Sequence, residues 1–316
     1  MRTSRGRSGL IAAMAAACLT AGCATADPPA AVGMTGASSA VTSQATARVR
    51  GHPVAYRTLG TGQPIVLLQR FRGTMDDWDP AFLEQLAATG RQVILFDNLG
   101  VGESGGSVPD TLEAAADDAA EFIRALGLRR VPVLGWSMGG MTAQVLAIRH
   151  PDLVSHLVLA GTAPAGGAPE VVHAPREWVS VATKPDYRDD DVLFLFYTDS
   201  ASSRTAGRAS LARMTRGSQN GSAVKTSAGV MQAQAQAVVQ FARNEGGWYQ
   251  KLREIRVPTL VANGDRDRAF AAIDSVVLAR EIPGAQLALY PDAGHAFHFQ
   301  YPRRFAQDVH AFLASH

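Results

Sequence analysis

The sequence predicts an α/β protein with a mostly parallel sheet, helices on both faces and a helical cap insertion. From Arg48 onward in the 316-residue chain, short apolar runs alternate with amphipathic segments. Such alternation is typical of a parallel sheet covered by helices on both sides. A long mixed stretch from about 162 to 247 interrupts the alternation. We interpret this stretch as the cap, lying over an edge of the sheet.

A leading hairpin and six apolar runs predict the strands. The segment Val49–Leu59 alternates moderately between apolar and polar residues and resembles one arm of a hairpin. The other runs are mainly apolar, and Pro64–Gln69 is continuously so, as expected for a strand buried on both faces of a parallel sheet. They are Pro64–Gln69, Gln92–Asp97, Val131–Trp136, His156–Gly161, Pro258–Ala262 and Gln286–Tyr290.

Start and stop residues predict the helices between these strands. Pro80 stands in the first turn of Pro80–Ala88, and Gly90 follows its end, which are usual helix boundaries. Gly127 similarly ends an amphipathic helix over Thr111–Leu126. Further helices are predicted over Met141–Arg149, Ala228–Phe241 inside the cap, Ala271–Glu281 and Pro302–Leu313.

Composition excludes several classes of function. Apolar residues at 47% and charged residues at 18% describe a globular protein with a sizeable core. The formal charge of +2 becomes −1 once the three arginines of the first 22 residues are set aside. A nearly neutral chain without a basic patch is not expected to bind nucleic acid. Both cysteines, Cys18 and Cys23, precede the folded region, and no clustered ligand pattern is present. We therefore expect no disulfide framework, no metal and no other cofactor.

The first 23 residues are typical of a bacterial export signal. Met1–Ser8 carries arginines, and Leu10–Leu19 is an apolar run too short to span a bilayer permanently. Leu19–Cys23 resembles a lipoprotein box, in which Cys23 would carry a lipid and anchor the protein to the cell envelope. The alternative is ordinary cleavage near Ala26, which would leave a soluble secreted or periplasmic protein. We favour the lipid anchor, and the mass of the mature N-terminus distinguishes the two.

Residues 24–47 are predicted to form a flexible linker, followed by one folded domain over 48–316. The linker consists mainly of Ala, Ser, Thr, Gly and Pro. Such a composition cannot bury enough apolar surface to order itself.

The strongest chemical signal is Gly135-Trp-Ser-Met-Gly139, which lies between a predicted strand and a predicted helix. A serine on such a sharp turn needs small neighbours, and Gly135 and Gly139 supply them. The following helix N-terminus favours a developing negative charge at Ser137. This context predicts that Ser137 is a nucleophile.

A serine nucleophile needs a base, and the base needs an acid that holds its tautomer. Both are expected on loops at the carboxyl ends of later strands. Asn263-Gly-Asp-Arg-Asp267 follows one such strand, and Pro291-Asp-Ala-Gly-His295 follows the next. The order serine, aspartate, histidine matches one known triad arrangement.

From about Arg48 to the C-terminus, the chain resembles the α/β-hydrolase superfamily. The resemblance rests on the Ser137 turn, the two loops just described, and Phe96-Asp-Asn-Leu-Gly-Val-Gly-Glu-Ser104. It implies the α/β-hydrolase fold and a triad of Ser137, His295 and Asp267. Asp265 is the alternative acid. His298 is the alternative base and is otherwise expected to form a wall of the site.

The resemblance also implies an oxyanion hole made by the backbone N–H groups of Met138 and Phe71. Relatives usually carry His-Gly where this chain has Gln69-Arg70, so the second donor departs from the pattern. Arg70 or Arg72 either adds positive charge near the entrance or is a salt-bridged or solvated arginine.

Other polar and aromatic residues have simpler explanations. We expect Asp97 and Ser104 to hold their turn, Asp292 to be a turn residue, and the 76–79 acidic cluster to cap a helix. Six large cap residues form either an acyl pocket or ordinary core: Trp178, Phe194, Phe196, Tyr197, Met214 and Met231.

These features favour a serine hydrolase that cleaves a carboxylic ester or related acyl bond of a small molecule. A serine at this position argues against chemistry that needs a carboxylate nucleophile. C–C bond hydrolases and cofactor-free perhydrolases share the triad and remain alternatives. A non-catalytic surface binding protein is a further alternative, because fold alone does not establish function.

Overall fold

The computed structural model describes residues 43–172, 174–217 and 226–316. The predicted export signal and most of the predicted linker lie outside these ranges, so both stay predictions. Within the described ranges, no helix combines the length and apolar character needed to cross a membrane.

The described residues form an eight-stranded, mostly parallel sheet, which confirms the predicted fold class. Its order is β1-β2-β4-β3-β5-β6-β7-β8, with β1–β2 and β2–β4 antiparallel and the other pairs parallel. The strands are β1 Ser43–Val49, β2 His52–Leu59, β3 Gln63–Leu68, β4 Arg91–Phe96, β5 Val131–Trp136, β6 Val154–Ala160, β7 Thr259–Gly264 and β8 Gln286–Tyr290.

The first strand begins earlier than predicted. Residues 43–47, assigned to the flexible linker, belong to β1 and pair with β2 from Ser43 opposite Thr58 to Val49 opposite His52. Only Ala47 and Val49 of β1 are buried, because an edge strand packs few side chains against the core. Its hydrophobic signal is correspondingly weak, and the linker prediction is wrong over these five residues.

Two layers of helices cover the sheet. On one face, α2, α3 and α9 pack through side chains such as Phe122, Val145 and Leu278. On the other face, α1 and α11 pack through side chains such as Phe82 and Phe305. The helices are α1 Pro80–Ala88, α2 Leu112–Ala125, α3 Met138–Arg149, α4 Arg176–Ala182, α5 Asp189–Phe196, α6 Ala201–Gly217, α7 Ala228–Ala242, α8 Trp248–Lys251, α9 Ala272–Glu281, α10 Phe297–Gln300 and α11 Pro302–Ala314.

The cap contains helices α4 to α7 and contacts both helix layers. Helix α6 packs against α1 and α10, and α7 packs against α2. Arg213 of α6 forms two hydrogen bonds of 2.8 and 2.6 Å with the buried carboxylate of Asp79. Asp79 also accepts from the Ala81 N–H as the N-cap of α1, as expected for the acidic cluster. A bidentate, charge-assisted pair of this kind fixes one side of the cap to the scaffold.

Asp97 and Ser104 hold the turn after β4, as predicted. The Asp97 carboxylate accepts from the N–H groups of Met75 and Glu103 at 2.8 and 2.9 Å. The Ser104 hydroxyl donates to the Asp97 carbonyl oxygen at 2.7 Å. Burial raises the pKa of Asp97 to about 6, although the two N–H donors and the charge of Arg57 act in the opposite direction.

This raised pKa predicts that ionisation of Asp97 lowers the free energy of unfolding. The same loss should be absent from Asp97→Asn. Because the folded state holds the Asp97 proton more tightly than the unfolded state, this carboxyl lowers stability as the pH rises from about 4 to 6. The free energy of unfolding of the wild type, relative to Asp97→Asn, should fall over that window by up to about 3 kcal/mol.

Urea denaturation at pH 4, 5, 6 and 7 measures this difference. The amide that Asp97→Asn introduces does not titrate, so all other groups cancel in the comparison. A difference in the free energy of unfolding that stays constant with pH would contradict the assignment.

Candidate active site

Ser137 occupies a strained turn between β5 and α3. Its backbone has φ 59° and ψ −123°, a conformation that L-residues rarely adopt. The neighbouring glycines allow the helix to approach the sheet closely. A Cβ atom on Gly135 would lie 2.3 Å from the Gly139 carbonyl oxygen, and one on Gly139 would lie 2.2 Å from the Leu68 carbonyl oxygen. Both contacts are too short, so the turn requires glycine at these two positions.

Hydrogen bonds from β6 and its following loop hold this conformation. The Ser137 N–H donates to the Ala160 carbonyl oxygen at 3.0 Å. The Ser137 carbonyl oxygen accepts from the Thr162 hydroxyl at 2.8 Å and from the Gly140 N–H at 2.9 Å. Strain of this kind costs about 1–3 kcal/mol and persists only where surrounding contacts determine the backbone. The serine hydroxyl is therefore held above the carboxyl edge of the sheet.

His295 and Asp267 meet on the loops that follow β8 and β7. Nδ1 of His295 lies 2.8 Å from Oδ2 of Asp267, and both side chains are buried. The other Asp267 oxygen accepts from the N–H groups of Ala269 and Phe270 at 2.7 and 3.2 Å. A proton on Nδ1 that donates to Asp267 leaves Nε2 as the basic nitrogen of the imidazole.

Asp265, the alternative acid, lies on the surface. Its carboxylate accepts from the Ala293 N–H at 3.3 Å, and its own N–H donates to the Tyr290 carbonyl oxygen at 2.9 Å. Asp265 therefore braces the histidine loop, and Asp267 is the acid that contacts His295.

The expectation that His298 forms a wall of the site is wrong. Its side chain is fully buried, and its ring packs against Trp78, Phe82, Trp136 and Phe299. Neither ring nitrogen has a partner among the described residues. Burial lowers the pKa of His298 well below its usual value, so the imidazole is a neutral core group.

Ser137 and His295 line the same small cleft. Phe71 and Arg70, from the loop after β3, form another wall of it. The rest of the cleft comes from the cap, and its lining residues there are Trp178, Ala182, Tyr187, Leu195 and Phe196. The predicted nucleophile and base therefore share one cleft, with the predicted oxyanion loop beside them.

Phe71 and Met138, the two predicted oxyanion donors, both line a cavity that also contains Ser137. Met138 is the first residue of α3, so its N–H belongs to the helix end that has no acceptor within the helix. Phe71 lines the cleft with Ser137. The unusual Gln69 braces this loop, because its side chain donates to the Thr74 carbonyl oxygen and accepts from the Arg70 N–H at 2.8 Å.

Arg70 is salt-bridged and also lines the cleft. Its guanidinium group lies 2.6 Å from the Asp77 carboxylate and over the rings of Trp136 and Phe196, at 5.6 and 5.1 Å from their centres. It also donates to the Phe71 carbonyl oxygen at 2.8 Å. The positive charge is therefore neutralised by an ion pair rather than by solvent.

Two cavities adjoin the cleft. The first, of about 260 Å³, is almost entirely apolar and contains Ser137, Met138 and Phe71 in its wall. Its cap side includes small apolar residues of α7, such as Ala235 and Val238, that gave no signal in the sequence. The second, of about 240 Å³, combines the Arg70 ion pair with aromatic and aliphatic side chains.

Four of the six large cap residues line one of these cavities. Trp178 lines the apolar cavity, whereas Phe196, Tyr197 and Met214 line the second. Phe194 and Met231 line neither of them. Four of the six therefore lie in a cavity wall, and the use of either cavity as an acyl pocket stays a prediction. Among the residues that the structure describes, no cluster of His, Cys, Asp and Glu could hold a metal ion.

The chain belongs to the alpha/beta hydrolase fold family, whose family model matches residues 63–302. An alpha/beta hydrolase fold protein from Chitinophaga pinensis is similar in structure, with a TM-score of 0.80 and 34% identity over 88% of this chain and 99% of that protein.

The following two similar proteins are named for an activity. The 2-hydroxymuconate semialdehyde hydrolase of Pseudomonas putida is 31% identical over 71% of this chain and 77% of its own length. The enol-lactonase of Burkholderia xenovorans LB400 has a TM-score of 0.67 and 26% identity, over 85% of this chain and 100% of that protein.

Proposed function

We propose that this protein is a serine hydrolase that cleaves carboxylic esters carrying an apolar acyl group. The observation that carries the proposal is the strained Ser137 turn, which opens on one side to the His295–Asp267 pair and on the other to an apolar cavity. The similarity to an enol-lactonase supports ester chemistry on this fold.

In the first half of the reaction, Nε2 of His295 takes the proton of the Ser137 hydroxyl. The serine oxygen attacks the ester carbonyl carbon, and the negative charge on the carbonyl oxygen is stabilised by the N–H groups of Met138 and Phe71. Collapse of this intermediate breaks the bond to the alcohol oxygen, which takes the proton from His295. The products are an acyl-enzyme on Ser137 and a free alcohol.

In the second half, water replaces the alcohol. His295 takes a proton from water, the resulting hydroxide attacks the acyl carbon, and the same two N–H groups hold the second oxyanion. Release of Ser137 with its proton yields the carboxylic acid. Asp267 stabilises the positively charged imidazole in both halves, because its carboxylate lies 2.8 Å from Nδ1.

The two cavities suggest how an ester lies across the serine. Phe71 and Met138 line the apolar cavity, so the acyl group attached to the carbonyl carbon is assigned there. The leaving oxygen must face His295, and Ala296 and Phe299, which follow that histidine, line the second cavity. The alcohol is therefore assigned to the second cavity, beside the Arg70 ion pair.

Replacing Ser137 by Ala should abolish hydrolysis of p-nitrophenyl butyrate. Because the serine forms the covalent intermediate, kcat should fall on the order of 10⁴-fold or more, while the folded state is retained. Initial rates and circular dichroism spectra measure the two properties. A folded variant that keeps more than about 1% of the wild-type kcat would contradict the assignment, because loss of the nucleophile should cost far more.

Two matched pairs of variants distinguish the triad residues from neighbouring residues of the same type by their activity. His295→Ala should lose activity as Ser137→Ala does, whereas His298→Phe, which keeps a ring in the aromatic core, should retain it. Likewise, Asp267→Asn should lower kcat by about 10⁴-fold, because the amide no longer holds His295 in the tautomer that leaves Nε2 basic. Asp265→Asn should leave kcat unchanged.

Filling the apolar cavity should shorten the acyl chains that the enzyme accepts. Ala235 of α7 lines this cavity, so Ala235→Trp should lower kcat/KM for p-nitrophenyl octanoate while p-nitrophenyl acetate is turned over normally. Each methylene excluded from an apolar site forfeits about 0.8 kcal/mol, so two of them amount to roughly a tenfold loss.

Gln232 of the same helix is exposed and supplies the control, Gln232→Trp. This variant should leave the chain-length profile unchanged. An equal loss for octanoate and acetate in Ala235→Trp, or an octanoate-specific loss in Gln232→Trp, would rule out this cavity as the acyl site.

A further inference from the structure

Arg72 has a backbone conformation that is unusual for its residue type. It directly follows Phe71 and has a φ of 60°, in the left-handed region that favours glycine. The two residues form the centre of a turn, which is closed by a 3.0 Å hydrogen bond from the Gly73 N–H to the Arg70 carbonyl oxygen. A bulky residue in this conformation costs free energy unless surrounding contacts hold it there.

The cap supplies those contacts to the Arg72 backbone. The Arg72 N–H donates at 2.7 Å to the side-chain oxygen of Gln234, which is buried in α7. The Arg72 carbonyl oxygen accepts at 2.7 Å from the hydroxyl of Thr226, two residues before α7 begins. Both backbone polar groups of the residue after Phe71 are therefore bonded to the cap.

The cap also surrounds the Arg72 side chain, which is buried. Its guanidinium group donates to the carbonyl oxygens of Lys184 and Pro185 at 2.6 and 2.9 Å, in the loop between α4 and α5. A longer bond of 3.3 Å reaches the carbonyl oxygen of Ala182, the last residue of α4. The group also lies 4.8 Å from the ring centre of Tyr187.

Separating the cap from the turn would cost free energy, because the Arg72 hydrogen bonds would be lost. Within the described residues, the Arg72 guanidinium has carbonyl and hydroxyl partners and lies at the negative end of a helix. Moving the α4–α5 loop away would leave a buried charge without its acceptors. The loop and the turn should therefore move together.

We propose that Arg72 is a positioning residue, through which the cap sets the turn that presents the Phe71 N–H to the Ser137 cleft. The inference rests on the proposed function, because it concerns the stabilisation of the oxyanion. The oxyanion hole is then complete only while the α4–α5 loop and α7 are packed against the rest of the domain.

Arg72→Gln tests the inference with p-nitrophenyl butyrate. Loss of a well-placed oxyanion donor lowers kcat, so kcat should fall about 10- to 100-fold while KM stays within about threefold of wild type. Arg72→Lys, which keeps the charge, should recover part of the loss. A trifluoromethyl ketone that adds to Ser137 should bind the Gln variant more weakly by the same factor as the loss in kcat/KM, because its adduct carries the oxyanion. Inhibition by butyrate should not change.

Arg213→Gln is the matched control, because it removes another arginine that fixes the cap, at Asp79, without touching the Phe71 turn. It should lower thermal stability and leave kcat and ketone affinity near wild type. If Arg72→Gln does not fold, Gln234→Leu removes the acceptor of the Arg72 N–H alone and should show a smaller loss of kcat with unchanged KM.

Wild-type kcat and ketone affinity in folded Arg72→Gln or Gln234→Leu would overturn the inference, as would equal losses in Arg213→Gln. If the wild-type protein shows no ester hydrolysis that is lost in Ser137→Ala, the proposed function is overturned instead, and the inference with it.

Discussion

The backbone conformation of Ser137 is the constraint on which the rest of the site depends. A residue with φ 59° can follow β5 only if Gly135 and Gly139 let α3 approach the sheet, and only if β6 and the loop after it hold the backbone. The hydroxyl then lies above the carboxyl edge of the sheet. Because β7 and β8 run parallel to β5, their following loops reach the same edge and bring Asp267 and His295 there.

The serine turn adjoins a buried aromatic cluster and the loop that carries the Phe71 N–H. In the aromatic cluster, the neutral imidazole of His298 packs against Trp136, the residue before Ser137, and contributes packing rather than proton transfer. The loop from Gln69 to Arg72 is braced from within by the amide side chain of Gln69 and from outside by the cap. The cap therefore affects more than substrate access, since its contacts determine the conformation of the loop that carries the Phe71 N–H.

The sequence was most informative where a local pattern alone determines structure. Apolar runs predicted the parallel strands, proline and glycine at its ends predicted α1 with its observed bounds, and the small residues around Ser137 predicted its turn. It was least informative where structure depends on distant partners. The edge strand β1 is held by backbone pairing with β2, so its side chains carry little hydrophobic signal. The burial of His298 and the role of Arg72 depend on aromatic rings and carbonyl groups from several separate segments, which no spacing rule reveals.

Covalent labelling reports whether Ser137 is an activated nucleophile. A fluorophosphonate probe reacts with a serine only when a base removes its proton and an oxyanion hole stabilises the adduct. After tryptic digestion of the labelled wild-type protein, mass spectrometry should find the phosphonyl group on the peptide spanning residues 131–149, at Ser137. The label should be absent from Ser137→Ala and strongly slowed in His295→Ala. An unlabelled wild-type protein, or a label on another residue, would contradict the account.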